Sequence, residues 1–107
     1  MKSEIDIHHF DRRYAVALQA LRRESRLTSR NRSTITRFLE MLESEGVGVP
    51  RRCIYAYRLK HVGIILNKDF ENATVDDIRS LVTSVERSNL SDSTKYMIRI
   101  MLKRFYK

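Results

Sequence analysis

The sequence predicts an all-α fold, and three observations carry that prediction. Apolar residues recur at i, i+3, i+4, i+7 in successive segments, no comparable run alternates with period two, and helix-capping residues stand between the segments. Four core helices are expected at about 30–45, 51–66, 75–88 and 92–106, preceded by an additional N-terminal helix at about 9–24. Their connections are short, so neighbouring helices should pack as a compact bundle.

Each element follows from its residues. In the first helix Phe10, Tyr14, Leu18 and Leu21 stand at helical spacing. Thr28 and Ser29 can cap the next, whose stripe is Ile35, Phe38, Leu39 and Leu42, and Gly46 supplies the residue most often found just past a helix end. Pro50 suits the first turn of the third helix, where its missing N–H costs nothing. Tyr55, Leu59, Val62 and Leu66 form its stripe, and it should stop near Asn67. Thr74 and Asp77 have capping-box spacing ahead of Ile78, Leu81, Val82 and Val85, and Asp76 and Asp77 favour the positive end of that helix. Ser91 and Asp92 open the last helix, with Ile98, Met101, Leu102 and Phe105 on one side.

The chain has 107 residues, one Pro and three Gly, which predicts a single domain over 1–107 with 1–27 as a helical extension. Hydrophobic residues make up 42% and charged residues 32%, and no apolar run approaches the roughly 20 residues that span a bilayer. The N-terminus lacks the apolar stretch of a secretory signal, so an intracellular, cytoplasmic protein is expected, with no membrane partner. Cys53, the one cysteine, has no intrachain disulfide partner and reads as a small core residue. No cofactor, metal site or catalytic residue is expected, because clustered carboxylates, a Gly-rich phosphate loop and paired His and Cys are all missing. His9 and Arg12 spell His-x-x-Arg without companions, and His61 reads as a packing or surface residue.

The net charge of +8 is unevenly placed. Residues 22–32 carry +4, 51–60 carry +4 without an acid, 93–107 carry +5 without an acid, and 69–92 carry −4. Separate basic blocks suit a phosphate backbone, although they also suit anionic membranes and acidic proteins. On the last helix Lys95, Arg99, Lys103 and Lys107 fall on one side, opposite the apolar stripe and bordered by Tyr96 and Tyr106. A face built only for solubility normally mixes signs. Arg51, Arg52, Arg58 and Lys60 point in several directions, and Arg51 and Arg52 oppose the helix dipole in a first turn that a polyanion would relieve.

The run Thr28–Lys107 resembles the SAM-like core-binding domain of tyrosine recombinases, the phage-type and archaeal-type integrases. Thr28, Ser29, Asn31, Ile35 and Phe38 look like that family's first-helix opening, and Arg52, Tyr55 and Leu59 like its second helix. Lys68, Asp69, Phe70 and Thr74 through Ile78 resemble its connection and third helix, and Ser91, Thr94, Leu102, Lys103, Phe105 and Tyr106 its closing one. The resemblance implies a non-catalytic module that forms half of a clamp on double-stranded DNA, with other recombinase protomers as partners of the full-length protein. It also implies a prokaryotic, phage or plasmid origin and an active site in a following domain. Phosphate contacts are expected from Arg30, Arg32, Arg51, Arg52, Arg58, Lys95, Arg99 and Lys103, and base-edge contacts from Ser93, Thr94 and Lys95. The ending Arg104, Phe105, Tyr106, Lys107, without a C-cap glycine, reads as a chain cut at an interdomain linker.

Two other readings stand beside this one. The helices at 75–88 and 92–106 have a short connection that can mimic a helix-turn-helix of a stand-alone regulator, although the first of them is acidic. A helical protein-interaction domain whose basic face docks an acidic partner, or whose outer surface self-associates, is the other.

Overall fold

The computed structural model describes residues 2–106, with side-chain surroundings from Arg12 onward. The chain is an all-α bundle: α1 (Lys2–Arg23), α2 (Ser29–Ser44), α3 (Val49–Leu66), a 3-10 turn at Phe70–Asn72, α4 (Val75–Arg87) and α5 (Asp92–Phe105), with no strand among the described residues. α1 starts well before the expected residue 9, because 2–11 contain neither Gly nor Pro to stop a helix. The side chains of His9 and Phe10, and all of Lys107, lie outside the described residues. Among the described residues no helix is long and apolar enough to cross a membrane.

The capping chemistry fixes the boundaries. Thr28 is extended, and its Oγ1 accepts the Asn31 N–H at 3.0 Å. Gly46 takes φ +84° just beyond α2, where a Cβ would be strained. α3 ends on Asn67 in the left-handed region, its N–H donating to the Gly63 carbonyl. At α4 the box is complete: Thr74 Oγ1 accepts the Asp77 N–H at 3.1 Å, and Asp77 Oδ2 accepts the Thr74 N–H at 2.8 Å. Ser91 Oγ accepts the Thr94 N–H to open α5.

α3 is the central helix, packing against α1, α2 and α4. Its Tyr55, Leu59 and Val62 meet the buried α2 stripe of Ile35, Phe38, Leu39 and Leu42 in one core that also takes in Leu21, Leu81, Ile98 and Met101. α5 closes the bundle through Phe105, whose ring stands edge-on to Phe38 at 5.1 Å and to Phe70 at 4.8 Å. Gly63 lets the chain approach this closely. A Cβ there would come within 2.5 Å of Leu27 Cδ2 and 3.2 Å of Phe70 Cζ.

The 3-10 turn has no periodic signature in the sequence, and a buried amide holds it. Asn31, only 1% exposed, donates from Nδ2 to the Lys68 carbonyl at 2.8 Å and accepts the Phe70 N–H at Oδ1, also at 2.8 Å. Thr28 Oγ1 adds a hydrogen bond to Asp69 Oδ1 at 2.6 Å. The first turn of α2 thus brackets residues 68–70 and seats Phe70 in the core.

The expected α4 stripe divides. Leu81 and Val85 are buried, whereas Ile78 and Val82 are half-buried beside a groove left where α4 and α5 diverge. Cys53, expected in the core, is also only half-buried and faces a second groove between α1 and α3.

Asn31→Ala leaves the Phe70 N–H and the Lys68 carbonyl without their partners. It should cost about 3 kcal/mol of unfolding free energy, measured by urea denaturation. A loss below about 0.5 kcal/mol would show that the bracket is dispensable.

Candidate nucleic-acid interface

The structure separates the basic side chains into those tied into the fold and those left to solvent. Arg52 belongs to the first group. It is buried, its Nε donates to the Val47 carbonyl at 3.1 Å, its Nη1 meets Glu43 at 3.2 Å, and its guanidinium lies 4.8 Å from the Tyr14 ring centroid. Expected as a phosphate contact, it instead joins α3 to α1 and to the end of α2, and burial raises the Tyr14 phenol against the opposing pull of Arg52.

Three of the five cations in the block at 22–32 are likewise engaged, while Arg22 and Arg23 stay exposed. Arg32 Nη1 donates to the Glu24 carbonyl at 2.9 Å, Arg30 pairs with Glu71 at 3.2 Å, and Arg26 forks Glu24 through Nε at 2.7 Å and Nη2 at 3.2 Å. That fork holds the Glu24 carboxyl at about 2, well below its usual range. On α3, Arg51 is exposed at the N-terminal end, while Arg58 and Lys60 border the α1–α3 groove rather than the surface that carries the α5 cations.

The α5 stripe contains no acid of its own, yet neighbouring elements supply them. Arg99 pairs with Glu86 at 2.6 Å, Lys95 Nζ donates to the Glu86 carbonyl at 2.8 Å, and Arg104 pairs with Glu45. Lys103 is exposed and makes no ion pair among the described residues. Ser93 and Thr94, expected at base edges, are bound into the helix cap: Ser91 Oγ lies 3.2 Å from Ser93 Oγ and donates to Thr94 Oγ1 at 2.9 Å. Tyr106 donates to the Phe70 carbonyl at 3.3 Å, and burial pushes its phenol up to about 12, keeping it a donor. The His61 ring packs on Tyr57 at 4.4 Å, with Nδ1 2.9 Å from the Tyr57 carbonyl.

One surface escaped the sequence reading. Arg79, Ser80, Thr83, Ser84 and Arg87 line a shallow depression along the outer side of α4, and all five are exposed. Arg79 and Thr83 also line the α4–α5 groove, whose opposite wall carries Arg99 and Lys103. Cations and hydroxyls of two helices therefore border one continuous surface. The summed charge of 69–92 concealed it, because Asp76 and Asp77 cluster in the first turn of α4. The spacing i, i+4, i+8 of Arg79, Thr83 and Arg87 was the available signal. Among the described residues, no group of three His, Cys, Asp or Glu side chains is placed to hold a metal ion.

Comparison with protein-family models, with curated proteins and with solved structures finds no match.

A carboxyl whose pKa is depressed on folding stabilises the fold above its unfolded value and loses that contribution as pH falls through the folded value. For Glu24 the window runs from about 4.5 down to about 2. Arg26→Ala should return the Glu24 titration midpoint towards 4.5 in side-chain carboxyl NMR. The stability gap between the two proteins should close as the pH falls through that window, and an unmoved midpoint would refute the role given to the fork.

Proposed function

We propose that the chain is a non-catalytic double-stranded DNA-binding module that meets the duplex with its α4–α5 face. The observation that carries this reading is the joining of Arg79, Thr83 and Arg87 on α4 with Arg99 and Lys103 on α5 around one surface. Arg79 and Arg87 lie eight residues apart, about 12 Å along a helix axis. That is about the width of the major groove, so the two guanidiniums can reach phosphates on opposite sides. Between them Ser80, Thr83 and Ser84 present hydroxyls, which can donate to or accept from base edges.

The pairs already made on this face do not oppose the reading. Arg99–Glu86 and the looser Arg79–Asp76 contact at 3.8 Å are solvent-exposed. Exposed pairs are worth roughly 0–1 kcal/mol and are readily exchanged for phosphate. The net charge of +8 attracts a polyanion at long range. Relative to the earlier expectation, Lys95, Arg99 and Lys103 stay in the interface, Arg52 leaves it, and the base-edge role passes from Ser93 and Thr94 to the α4 hydroxyls. The resemblance to recombinase core-binding domains agrees with DNA as the ligand. On that reading the protein is intracellular, other recombinase protomers join it on DNA, and catalysis resides in another domain of a longer protein.

Neutralising about five phosphates gives a slope of log affinity against log salt of about −4 to −5. Titrating a labelled random duplex, Arg79→Ala/Arg87→Ala/Lys103→Ala should lose about three units of that slope, whereas Arg52→Ala should lower the melting temperature and leave the slope unchanged. A triple variant that binds like wild type removes this face from consideration.

A further inference from the structure

The groove that α3 forms with α1, floored by Ala17 and Ala56, has a composition unlike that of the α4–α5 face. Its walls expose Val16 at 65%, Ile54 at 48% and Tyr57 at 50%, an unusual concentration of uncovered apolar surface on a chain this basic. The concavity measures about 510 Å³. Arg13, Arg58 and Lys60 border it, and among the described residues no carboxylate lines it and none of the three makes an ion pair. Arg58 and Lys60 stand over the Tyr57 ring at 5.3 and 5.5 Å from its centroid, so two cations share one aromatic rather than a counter-ion. The Arg58 Nε is also out of water with no acceptor among the described residues. Glu24, whose carboxyl is influenced by Lys60, is held by the Arg26 fork.

We propose that the α1–α3 groove docks an acidic amphipathic helix of a partner protein. Apolar residues at i, i+3 and i+4 of such a helix cover Val16, Ile54 and Tyr57, and its flanking carboxylates meet Arg13, Arg58 and Lys60. Charge complementarity selects this occupant. A second copy of the chain brings the same Arg13, Arg58 and Lys60 rim, so a symmetric contact sets cation against cation. A duplex offers phosphates to the rim but nothing that benefits from covering Val16 and Ile54. A lipid surface is met by a convex apolar face, and this one is concave.

The probe is a fluorescein-labelled 16-residue synthetic peptide with Leu on one helical face and Glu on the other, titrated into the 107-residue chain by fluorescence anisotropy. A peptide of the same composition with the stripe scrambled serves as control. The striped peptide should bind at least ten-fold more tightly than the scrambled one. Ile54→Glu and Val16→Glu, both at exposed positions, should each weaken it ten-fold or more with an unchanged circular dichroism melt. Arg13→Ala/Lys60→Ala should weaken it several-fold and flatten its salt dependence. Arg79→Ala/Arg87→Ala/Lys103→Ala should bind it like wild type, which separates this proposal from the DNA reading. Equal affinity for the two peptides would overturn the proposal, because the groove then acts only as a generic cationic surface. So would Ile54→Glu and Val16→Glu proteins that bind as wild type does, sedimentation showing a dimer that those substitutions dissolve, or binding to anionic vesicles in preference to the striped peptide.

Discussion

The architecture depends on one buried primary amide. Asn31 satisfies a carbonyl and an N–H of the segment that leaves α3, and no apolar residue of its size can do both. Burying that amide is favourable only because both its ends are hydrogen-bonded. Much else follows from the position it enforces. With residues 68–70 held against α2, the Phe70 ring lies over Gly63 and offers an edge to Phe105, and the Phe70 carbonyl receives the Tyr106 hydroxyl. The last turn of α5 is thus anchored to a loop that α2 anchors in turn. The α4–α5 groove owes its Tyr106 wall to the same chain of contacts.

The helices were legible because their information is local. Period, caps and the sequence Thr74-x-x-Asp77 act within one or two turns, and the structure places the caps at Thr28, Thr74 and Ser91 as read. The N-terminal start of α1 was not legible, because a polar stretch without breakers carries no stop and no stripe. Nor was the 3-10 turn at Phe70–Asn72, since its determinant lies 39 residues away at Asn31. The half-burial of Ile78 and Val82 was beyond reach for a similar reason: periodicity finds the apolar side of a helix but not how far the neighbouring helix stands from it.

Charge was legible in amount and misleading in place. The acid-free run on α5 is acid-free only along the chain; Glu86 and Glu45 come to it through space. Conversely, α4 reads as acidic in sum while its outward side carries Arg79 and Arg87 among three hydroxyls. Arg52 shows the same limit in sharper form. Its neighbours in sequence suggest a polyanion site, yet Tyr14 of α1 and Glu43 and Val47 at the end of α2 enclose it. Folding redistributes electrostatic partners because a long side chain finds them within several ångströms in any direction, whatever their separation in sequence.

Thr28 has a double engagement, capping α2 through the Asn31 N–H and donating to Asp69. The helix start and the α3–α4 connection therefore share an atom. Releasing Thr28 from the start of α2 also removes a contact of the loop, and the two are coupled through one hydroxyl. With the two bonds of the Asn31 amide, that hydroxyl makes three side-chain hydrogen bonds from the start of α2 to residues 68–70, so the path of the chain from α3 into α4 is set by a helix that comes before both of them.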